Sequence, residues 1–286
     1  MEKNDYTLID SGKGNKLEKF GPFLIRRPAA QALWIPTLSE KEWDKAQAVF
    51  TREEDKKWSQ LRTLPPKWHI NVAGITFKIE PTDFGHLGIF PEQKPQWEWI
   101  TRTILHHHKK TSSKMKVLNL FAYSGGSTMA AGKAGAEVVH LDASKGMITW
   151  ARENAALNGL TDAPIRWIID DVKKFLKKEL RRGSKYDAII LDPPSFGRGS
   201  KGEIFKIEED ILSLLDMCRQ LLSDRPVFVL FSCHSPGFTE IAMKNLMGQM
   251  MKGVDGVIES GEMCLFGEKN VLPLPSGTFA RWYCGD

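Results

Sequence analysis

Three aspartates and one cysteine stand where short apolar runs of this sequence end. Asp142, Asp171 and Asp192 each follow or close such a run, and Cys233 closes another. Runs of this kind predict buried parallel strands. Carboxylates accept hydrogen bonds from hydroxyl and amino groups, and a thiolate is a nucleophile. Because ligands bind at the carboxyl ends of parallel strands, we expect these four side chains to border one site.

A glycine turn organises the elements around that site. Residues 117–123 are apolar and predict a buried strand, and Ser124–Gly126 then allow a tight turn whose backbone can approach a ligand. Ser127 or Thr128 is expected to cap the helix that follows. Strand, glycine turn and helix begin a nucleotide-binding βαβ unit, although a glycine pair alone is a weak signal.

Asp142 and Asp171 could bind the sugar and the base of a nucleoside, respectively. Asp142 lies roughly 20 residues beyond the start of the first strand, where a ribose-binding carboxylate belongs. Asp171 offers an acceptor to an adenine amino group, and the backbone N–H of Val172 could serve a ring nitrogen. Each aspartate also precedes a predicted helix, so helix capping remains an alternative or an additional role.

The strand ends at Asp192 and Cys233 have side chains that could bind a substrate and react with it. Asp192 is followed by Pro193 and Pro194, which fix φ and lack N–H donors, so a stiff loop presents acceptors only. The Phe196 ring that follows could stack on a flat substrate. Cys233 is either a small buried hydrophobe or, if its thiolate is stabilised, a nucleophile at the same edge.

The composition of the chain restricts its possible partners, metal sites and location. The chain has 286 residues, a hydrophobic fraction of 42% and a formal net charge of +5, which permits a polyanionic partner without requiring one. The four cysteines show no metal-ligand spacing, and the consecutive residues His106–His108 would point in different directions on a helix, so no metal site is expected. We expect reduced thiols, no signal peptide, no membrane span and a cytoplasmic location.

The chain is predicted to divide near residue 75. Residues 1–75 are expected to form a small α+β module, which either packs only its own core or uses aromatic rings in substrate recognition. Within it, Ser39 and Glu42 form a capping box that predicts a helix to about Phe50. A strand pair is expected from Ile70 to Ile79, and residues 76–286 form the second domain.

These motifs together resemble the class I S-adenosylmethionine-dependent methyltransferases. The segment Val117–Gly126 is similar to the strand and turn of the bacterial large-subunit ribosomal RNA methyltransferases, and Asp192–Phe196 is similar to their D-P-P-x-F element. Phe231–His234 resembles the F-S-C-S segment of members that methylate cytosine C5, with His234 in place of a small residue. The first 75 residues do not resemble the RNA-binding module of some relatives.

The resemblance implies an α/β fold, a Rossmann-like sheet of seven strands, and a set of site residues. S-adenosylmethionine is the implied cofactor and RNA, ribosomal above all, the implied substrate. The implied cofactor-binding residues are Phe90, Gln93, Tyr123, Ser124, Gly125, Gly126, Ser127, Asp142, Ala143, Asp171, Val172 and Asp192. The implied catalytic residues are Asp192, Pro193, Pro194 and Cys233, whose thiolate would add to C6 of cytosine. His234, which has no counterpart in those relatives, is expected from its own chemistry to stabilise that thiolate as an imidazolium.

Four interpretations stay open at this point. The first is methylation of an RNA base, at cytosine C5 through Cys233. The second is methylation of a guanine nitrogen, a protein or a small molecule, with Cys233 structural. A dehydrogenase that binds NAD(P) would share the strand, glycine turn and ribose acid. An RNA-binding protein on a degenerate methyltransferase fold is the fourth, against which the intact Gly125 and Asp142 argue.

Overall fold

The computed structural model describes residues 5–51, 57–59, 64–111, 113–199 and 202–285. The chain forms two compact units. The first contains Met1–Lys94 and Met263–Ser276, and the second contains Pro95–Glu262 and Gly277–Asp286. The first unit therefore extends beyond residue 75, and a separate function for residues 1–75 stays a prediction.

The first unit is built mainly from strands. Its elements are β1 Tyr6–Gly12, β2 Asn15–Phe20, β3 Phe23–Pro28, α1 Glu40–Trp43, β4 Ala48–Thr51, β5 Lys57–Ser59, β6 Trp68–Val72 and β7 Ile75–Ile79. Strands β1 to β5 form one sheet in chain order, in which β3 and β4 run parallel and the other neighbours antiparallel. Strands β6 and β7 form the predicted antiparallel pair.

The predicted helix from Ser39 to Phe50 is wrong beyond its first turn. The Ser39 side chain makes no capping hydrogen bond, and α1 ends at Trp43. Trp43 Nε1 donates to Asp10 Oδ2 at 3.0 Å, which ties the end of α1 to β1. The residues after it alternate between buried and partly buried positions in β4, so pairing with the sheet outweighs the local helix signal.

A buried ion pair stabilises the same unit. Arg27 donates two hydrogen bonds to the Glu18 carboxylate, at 2.8 and 2.9 Å, and Tyr6 donates a third at 2.9 Å. Burial raises the pKa of Glu18, but the charges of Arg27 and Lys16 and these hydrogen bonds outweigh it and leave the pKa below its usual value. Glu18 is therefore a paired carboxylate, as a buried charge must be.

The second unit alternates strands and helices. The elements that lie wholly or mainly in it are α2 Lys94–Lys110, β8 Lys116–Leu120, α3 Gly126–Lys133, β9 Glu137–Asp142, α4 Lys145–Leu157, β10 Ile165–Ile169, α5 Val172–Arg181, β11 Ala188–Leu191, β12 Phe196–Arg198, β13 Ile204–Lys206, α6 Ile207–Leu221, β14 Phe228–Cys233, α7 Glu240–Met250, β15 Val257–Leu265 and β16 Leu274–Tyr283. No described helix is both long and apolar enough to cross a membrane.

The predicted sheet of seven strands is confirmed. Its order is β10-β9-β8-β11-β14-β16-β15, with β8 to β11 and β14 parallel and β16 antiparallel to β14. The chain leaves β8 towards β9 and β10 and then returns to β11 on the other side of β8. This reversal between β8 and β11 is the point at which α/β sheets bind ligands.

Amphipathic helices cover the sheet. Helix α5 buries Val172, Phe175 and Leu176, and its lysines lie outside. Ion pairs join three of those lysines to carboxylates: Lys173 to Asp210, Lys174 to Glu203 and Lys178 to Asp170. The outer face of α5 is thus a partly neutralised, solvated helix surface.

Candidate active site

The candidate site lies where β8, β11 and β14 end side by side. Leu191 at the end of β11 is level with Leu120 of β8 and with Phe231 of β14. The glycine turn after β8, the Asp192 loop after β11 and the Cys233 end of β14 therefore share one edge of the sheet. The sequence predicted this convergence from the apolar runs.

Backbone strain marks the turn between β8 and α3. Phe121 and Tyr123 have φ angles of 55° and 50°, a region that side chains other than glycine rarely adopt. Gly125 has φ of 92° and serves as the N-cap of α3 without any side-chain cap. The predicted cap by Ser127 or Thr128 is wrong, since α3 begins at Gly126. Strain of this kind persists where surrounding contacts enforce it, often at functional sites.

Packing behind the turn enforces its shape. A Cβ atom on Gly126 would lie 2.5 Å from Cζ2 of Trp97, so only glycine fits there beside α2. Asn154 Nδ2 donates to the Ser124 carbonyl at 2.9 Å, which fixes the turn from α4. Ser124 and Gly125 are buried, and Ser127 is partly exposed.

A buried hydrogen-bond chain lies beneath the first turn of α3. Asn119 Nδ2 donates to Thr128 Oγ1 at 2.8 Å, and that oxygen lies 2.8 Å from His140 Nδ1. Burial lowers the pKa of His140 to about 3, against a smaller opposing effect of the Tyr123 backbone. His140 is therefore neutral, and its Nδ1 shares a hydrogen bond with the Thr128 hydroxyl.

Asp142 joins the end of β9 to the turn. Its Oδ2 accepts a hydrogen bond from the Tyr123 N–H at 2.9 Å, and its Oδ1 accepts one from the Ser144 N–H at 2.8 Å. Burial raises the pKa of Asp142, and the two backbone hydrogen bonds oppose that rise. Each oxygen keeps a further lone pair, and Ala143 beside it is partly exposed.

Asp171 combines the cap and the acceptor that the sequence allows. Its Oδ1 accepts a hydrogen bond from the Lys174 N–H at 3.0 Å and so caps α5. The side chain is 7% exposed and follows β10, the strand next to β9. Val172 is the buried first residue of α5. The remaining carboxylate oxygen can accept a hydrogen bond from a ligand.

The Asp192 loop carries polar side chains from two strand ends. Pro193 is buried, and Pro194 and Phe196 are exposed. Ser195 Oγ lies 2.7 Å from Ser235 Oγ, which links this loop to the chain after β14. Asp192 Oδ1 lies 3.4 Å from His234 Nδ1, with 27% and 31% of the two side chains exposed.

Cys233 is a buried thiol at this edge. It is 1% exposed, and its Sγ accepts a hydrogen bond from the Ser235 N–H at 3.4 Å. Burial raises the pKa of Cys233, hydrogen bonds from Ser235 oppose the rise, and the Asp192 charge adds to it. His234, the predicted imidazolium partner, has the smallest influence on this thiol and pairs with Asp192 instead.

Comparison with known proteins gives the family. A sequence model described as S-adenosylmethionine-dependent methyltransferase matches residues 46–235. The crystal structure of a SAM-dependent methyltransferase from Agrobacterium tumefaciens superposes with a TM-score of 0.92 at 40% identity, over 98% of this chain and 91% of that one. The chain belongs to the S-adenosylmethionine-dependent methyltransferase family.

Curated relatives cover less of the chain. It is 40% identical over 57% of its length to ribosomal RNA large subunit methyltransferase I of Aeromonas salmonicida, and 33% identical over 58% to methyltransferase K/L of Hahella chejuensis. The matches span 39% and 22% of those two proteins, so this chain corresponds to well under half of either.

The methyltransferase takes S-adenosylmethionine as its methyl donor, and its residues fit that molecule. Ribose hydroxyls and an adenine amino group are donors, and Asp142 and Asp171 present acceptors at successive strand ends. Membership of this family excludes the alternative of a dehydrogenase that binds NAD(P). No group of three or more His, Cys, Asp or Glu side chains within the described ranges could hold a metal ion.

Two predicted cofactor residues lie in the first compact unit of this methyltransferase. Phe90 is partly buried, with its ring centroid 5.5 Å from that of His86, and precedes a short 3₁₀ turn, Pro91–Gln93. Gln93 ends that turn and is 6% exposed. Contact of either residue with the cofactor stays a prediction.

Three features of this methyltransferase were not predicted from the sequence. The contact of Trp97 with Gly126 depends on the packing of α2. His140 shows only as a polar residue within an apolar strand, which is the one signal that could have pointed to it. His234 was singled out beside Cys233, but its pairing with Asp192 depends on strand order.

Proposed function

We propose that this methyltransferase modifies a base of structured RNA, and ribosomal RNA in particular. The observation that carries the proposal is the 40% identity to ribosomal RNA large subunit methyltransferase I, over a segment that makes up 57% of this chain. The stiff Asp192-Pro193-Pro194 loop beside the glycine turn supports it. Phe196, 50% exposed next to that loop, offers a ring on which a base can stack.

In this proposal, S-adenosylmethionine lies across the carboxyl ends of β8, β9 and β10. Tyr123, Ser124, Gly125, Gly126 and Ser127 lie along its methionine part. Asp142 and Ala143 hold the ribose, and Asp171 and the Val172 N–H hold the adenine. Asp192 borders both the cofactor and the acceptor. Phe90 and Gln93 are the remaining proposed cofactor-binding residues.

Cytosine C5 is the proposed acceptor atom. C5 is a poor nucleophile, and addition of a thiolate at C6 activates it towards the methyl group. Cys233 ends β14 beside the Asp192 loop, where such a thiolate is needed. Since burial raises the pKa of this thiol, it must lose its proton when substrate binds.

A ring or exocyclic nitrogen is the second candidate acceptor. The burial of Cys233 and its raised pKa favour this candidate, because a nitrogen has its own lone pair and needs no thiolate. Cys233 would then pack as a small hydrophobe.

Mapping of methylated nucleotides tests the proposal. Ribosomal RNA from cells with and without this protein should differ at one methylated base. Purified protein and S-adenosylmethionine should restore the methyl group to RNA from the deficient cells. An unchanged pattern in ribosomal RNA, with transfer to a protein or small molecule, would contradict the RNA substrate.

A further inference from the structure

We propose that His234, oriented by Asp192, is the base that takes the proton lost by the acceptor during methyl transfer. This inference rests on the proposed transfer to a base of RNA. It concerns acceptors that lose a proton on methylation, which are an exocyclic nitrogen and cytosine C5.

The two side chains come from neighbouring strands of the sheet. Asp192 directly follows β11 and His234 directly follows β14, and the two strands are paired up to Leu191 and Phe231. His234 Nδ1 lies 3.4 Å from Asp192 Oδ1. This contact is within ion-pair distance but lacks hydrogen-bond geometry, and hydrogen bonds between catalytic groups are often long or poorly aligned before substrate binds and tighten in the reacting complex.

The ring geometry puts the second nitrogen on the side away from Asp192. With Nδ1 towards Asp192, Nε2 is on the far side of the imidazole, and 31% of the side chain is exposed. A carboxylate at Nδ1 holds the Nδ1–H tautomer, which makes Nε2 the basic nitrogen. It also stabilises the imidazolium that forms when Nε2 accepts a proton.

The proton balance of the transfer needs such a group. The acceptor atom gives an electron pair to the methyl carbon as the bond from that carbon to sulfur breaks, and the broken bond's pair stays on sulfur. For an exocyclic nitrogen, the N–H bond then breaks and its electron pair stays on nitrogen. For C5, the C5–H pair forms the C5–C6 double bond while the C6–S bond breaks and returns its pair to the Cys233 sulfur. In both cases the proton moves to Nε2. The imidazolium later releases this proton to water.

Asp192 and Cys233 both lie next to His234. Asp192 is the carboxylate of the pair, and Cys233 precedes His234 on the same strand end. Burial raises the pKa of Cys233, so this thiol ionises in the alkaline range. We therefore expect the acid limb of the rate profile to depend on His234.

Steady-state kinetics between pH 5.5 and 9 test the assignment. The probe is ribosomal RNA from cells that lack the protein, with methyl-labelled S-adenosylmethionine. We expect His234→Gln to lower kcat by roughly 10²–10⁴-fold and to remove the acid limb. KM for RNA and the affinity for S-adenosylmethionine should stay within about threefold, and exogenous imidazole should restore part of the rate in His234→Ala. His106→Gln, an exposed histidine on α2, is the matched control.

Nuclear magnetic resonance tests the pair without turnover. The chain has seven histidines, so the signal absent from His234→Gln identifies this ring. In Asp192→Asn the His234 signal should titrate at lower pH than in the wild type, because the imidazolium loses its carboxylate. Circular dichroism and urea unfolding show whether the Asp192→Asn variant is folded.

The outcomes separate the two proposals. Wild-type transfer to RNA with an unchanged kcat and pH profile in His234→Gln overturns the inference alone. An unshifted His234 titration in folded Asp192→Asn overturns the pair, whatever the activity. Failure of the wild type to methylate any nucleotide in the RNA overturns the proposed function. The assignment of His234 as the proton acceptor then fails as well.

Discussion

Asp142 Oδ2 accepts a hydrogen bond from the Tyr123 backbone N–H at 2.9 Å. The end of β9 therefore holds the strained turn after β8, in which Tyr123 has φ of 50°. A carboxylate already fixed by the Tyr123 and Ser144 amides needs little reorganisation to receive ribose hydroxyls. Such preorganisation lowers the cost of ligand binding.

Asp142→Asn should weaken S-adenosylmethionine binding by about 1–3 kcal/mol. Asparagine has one acceptor oxygen, so it cannot accept from Tyr123, Ser144 and a ribose hydroxyl as the carboxylate can. Calorimetric titration measures the loss, and Asp162→Asn, at an exposed position, is the control. Equal affinity of the Asp142 variant and the wild type would remove Asp142 from the proposed ribose site.

Gly126→Ala should lower the free energy of unfolding by about 1–3 kcal/mol, because the new Cβ meets the Trp97 ring. Gly146→Ala is the matched control: only Ser144 Oγ, at 3.7 Å, lies near its new Cβ, so the change should stay under about 1 kcal/mol. Urea unfolding measures both variants. In a Trp97→Leu background the cost of Gly126→Ala should shrink, and full additivity would show that the clash is absent.

Cys233→Ala should abolish methyl transfer and cost about 1 kcal/mol of stability. Cys218→Ala, at a buried cysteine in α6, should cost similar stability and keep full activity. RNA with 5-fluorocytosine at the target should form a covalent adduct with the wild type, since fluorine blocks the proton loss that releases the enzyme. The adduct rate should rise with pH, because burial raises the pKa of the thiol. Full activity of Cys233→Ala would favour the nitrogen acceptor.

His140→Asn should make the protein less sensitive to acid. The pKa of His140 is about 3 in the folded protein against 6.5 as the ordinary value, so between these values the unfolded chain binds a proton that the native state excludes. Stability therefore falls as the pH drops through this window, by up to ~1.4 kcal/mol per pH unit. Unfolding free energies at pH 7 and pH 5 should differ less in His140→Asn than in the wild type or in the exposed control His69→Asn. Equal differences would contradict a neutral, buried His140.

Local patterns predicted most of the second unit. The strands that end at Asp142 and Cys233 and the helix that Asp171 caps match predictions from local sequence patterns. Such features depend on neighbours in the sequence. Ser39 shows the limit of such local prediction. The capping-box sequence is present, but the Ser39 side chain makes no cap. The contact of Trp43 with Asp10 and the pairing of β4 determine the structure instead.

The candidate site was predictable where it depends on strand ends. Asp142, Asp171, Asp192 and Cys233 follow or end apolar runs, and parallel topology brings their strand ends to one edge. The Asp192–His234 distance and the fit of Gly126 against Trp97 depend on strand order and helix packing, which no local pattern encodes.

The first compact unit is assembled from two separate lengths of chain, Met1–Lys94 and Met263–Ser276. Leu8 of β1 bridges to Gly267 and donates its N–H to the Phe266 carbonyl, so the distant segment belongs to the structure of that unit. A single cut or fusion point cannot transplant such a unit. Genetic exchange, natural or engineered, must carry both lengths together, which favours inheritance of this methyltransferase as one piece.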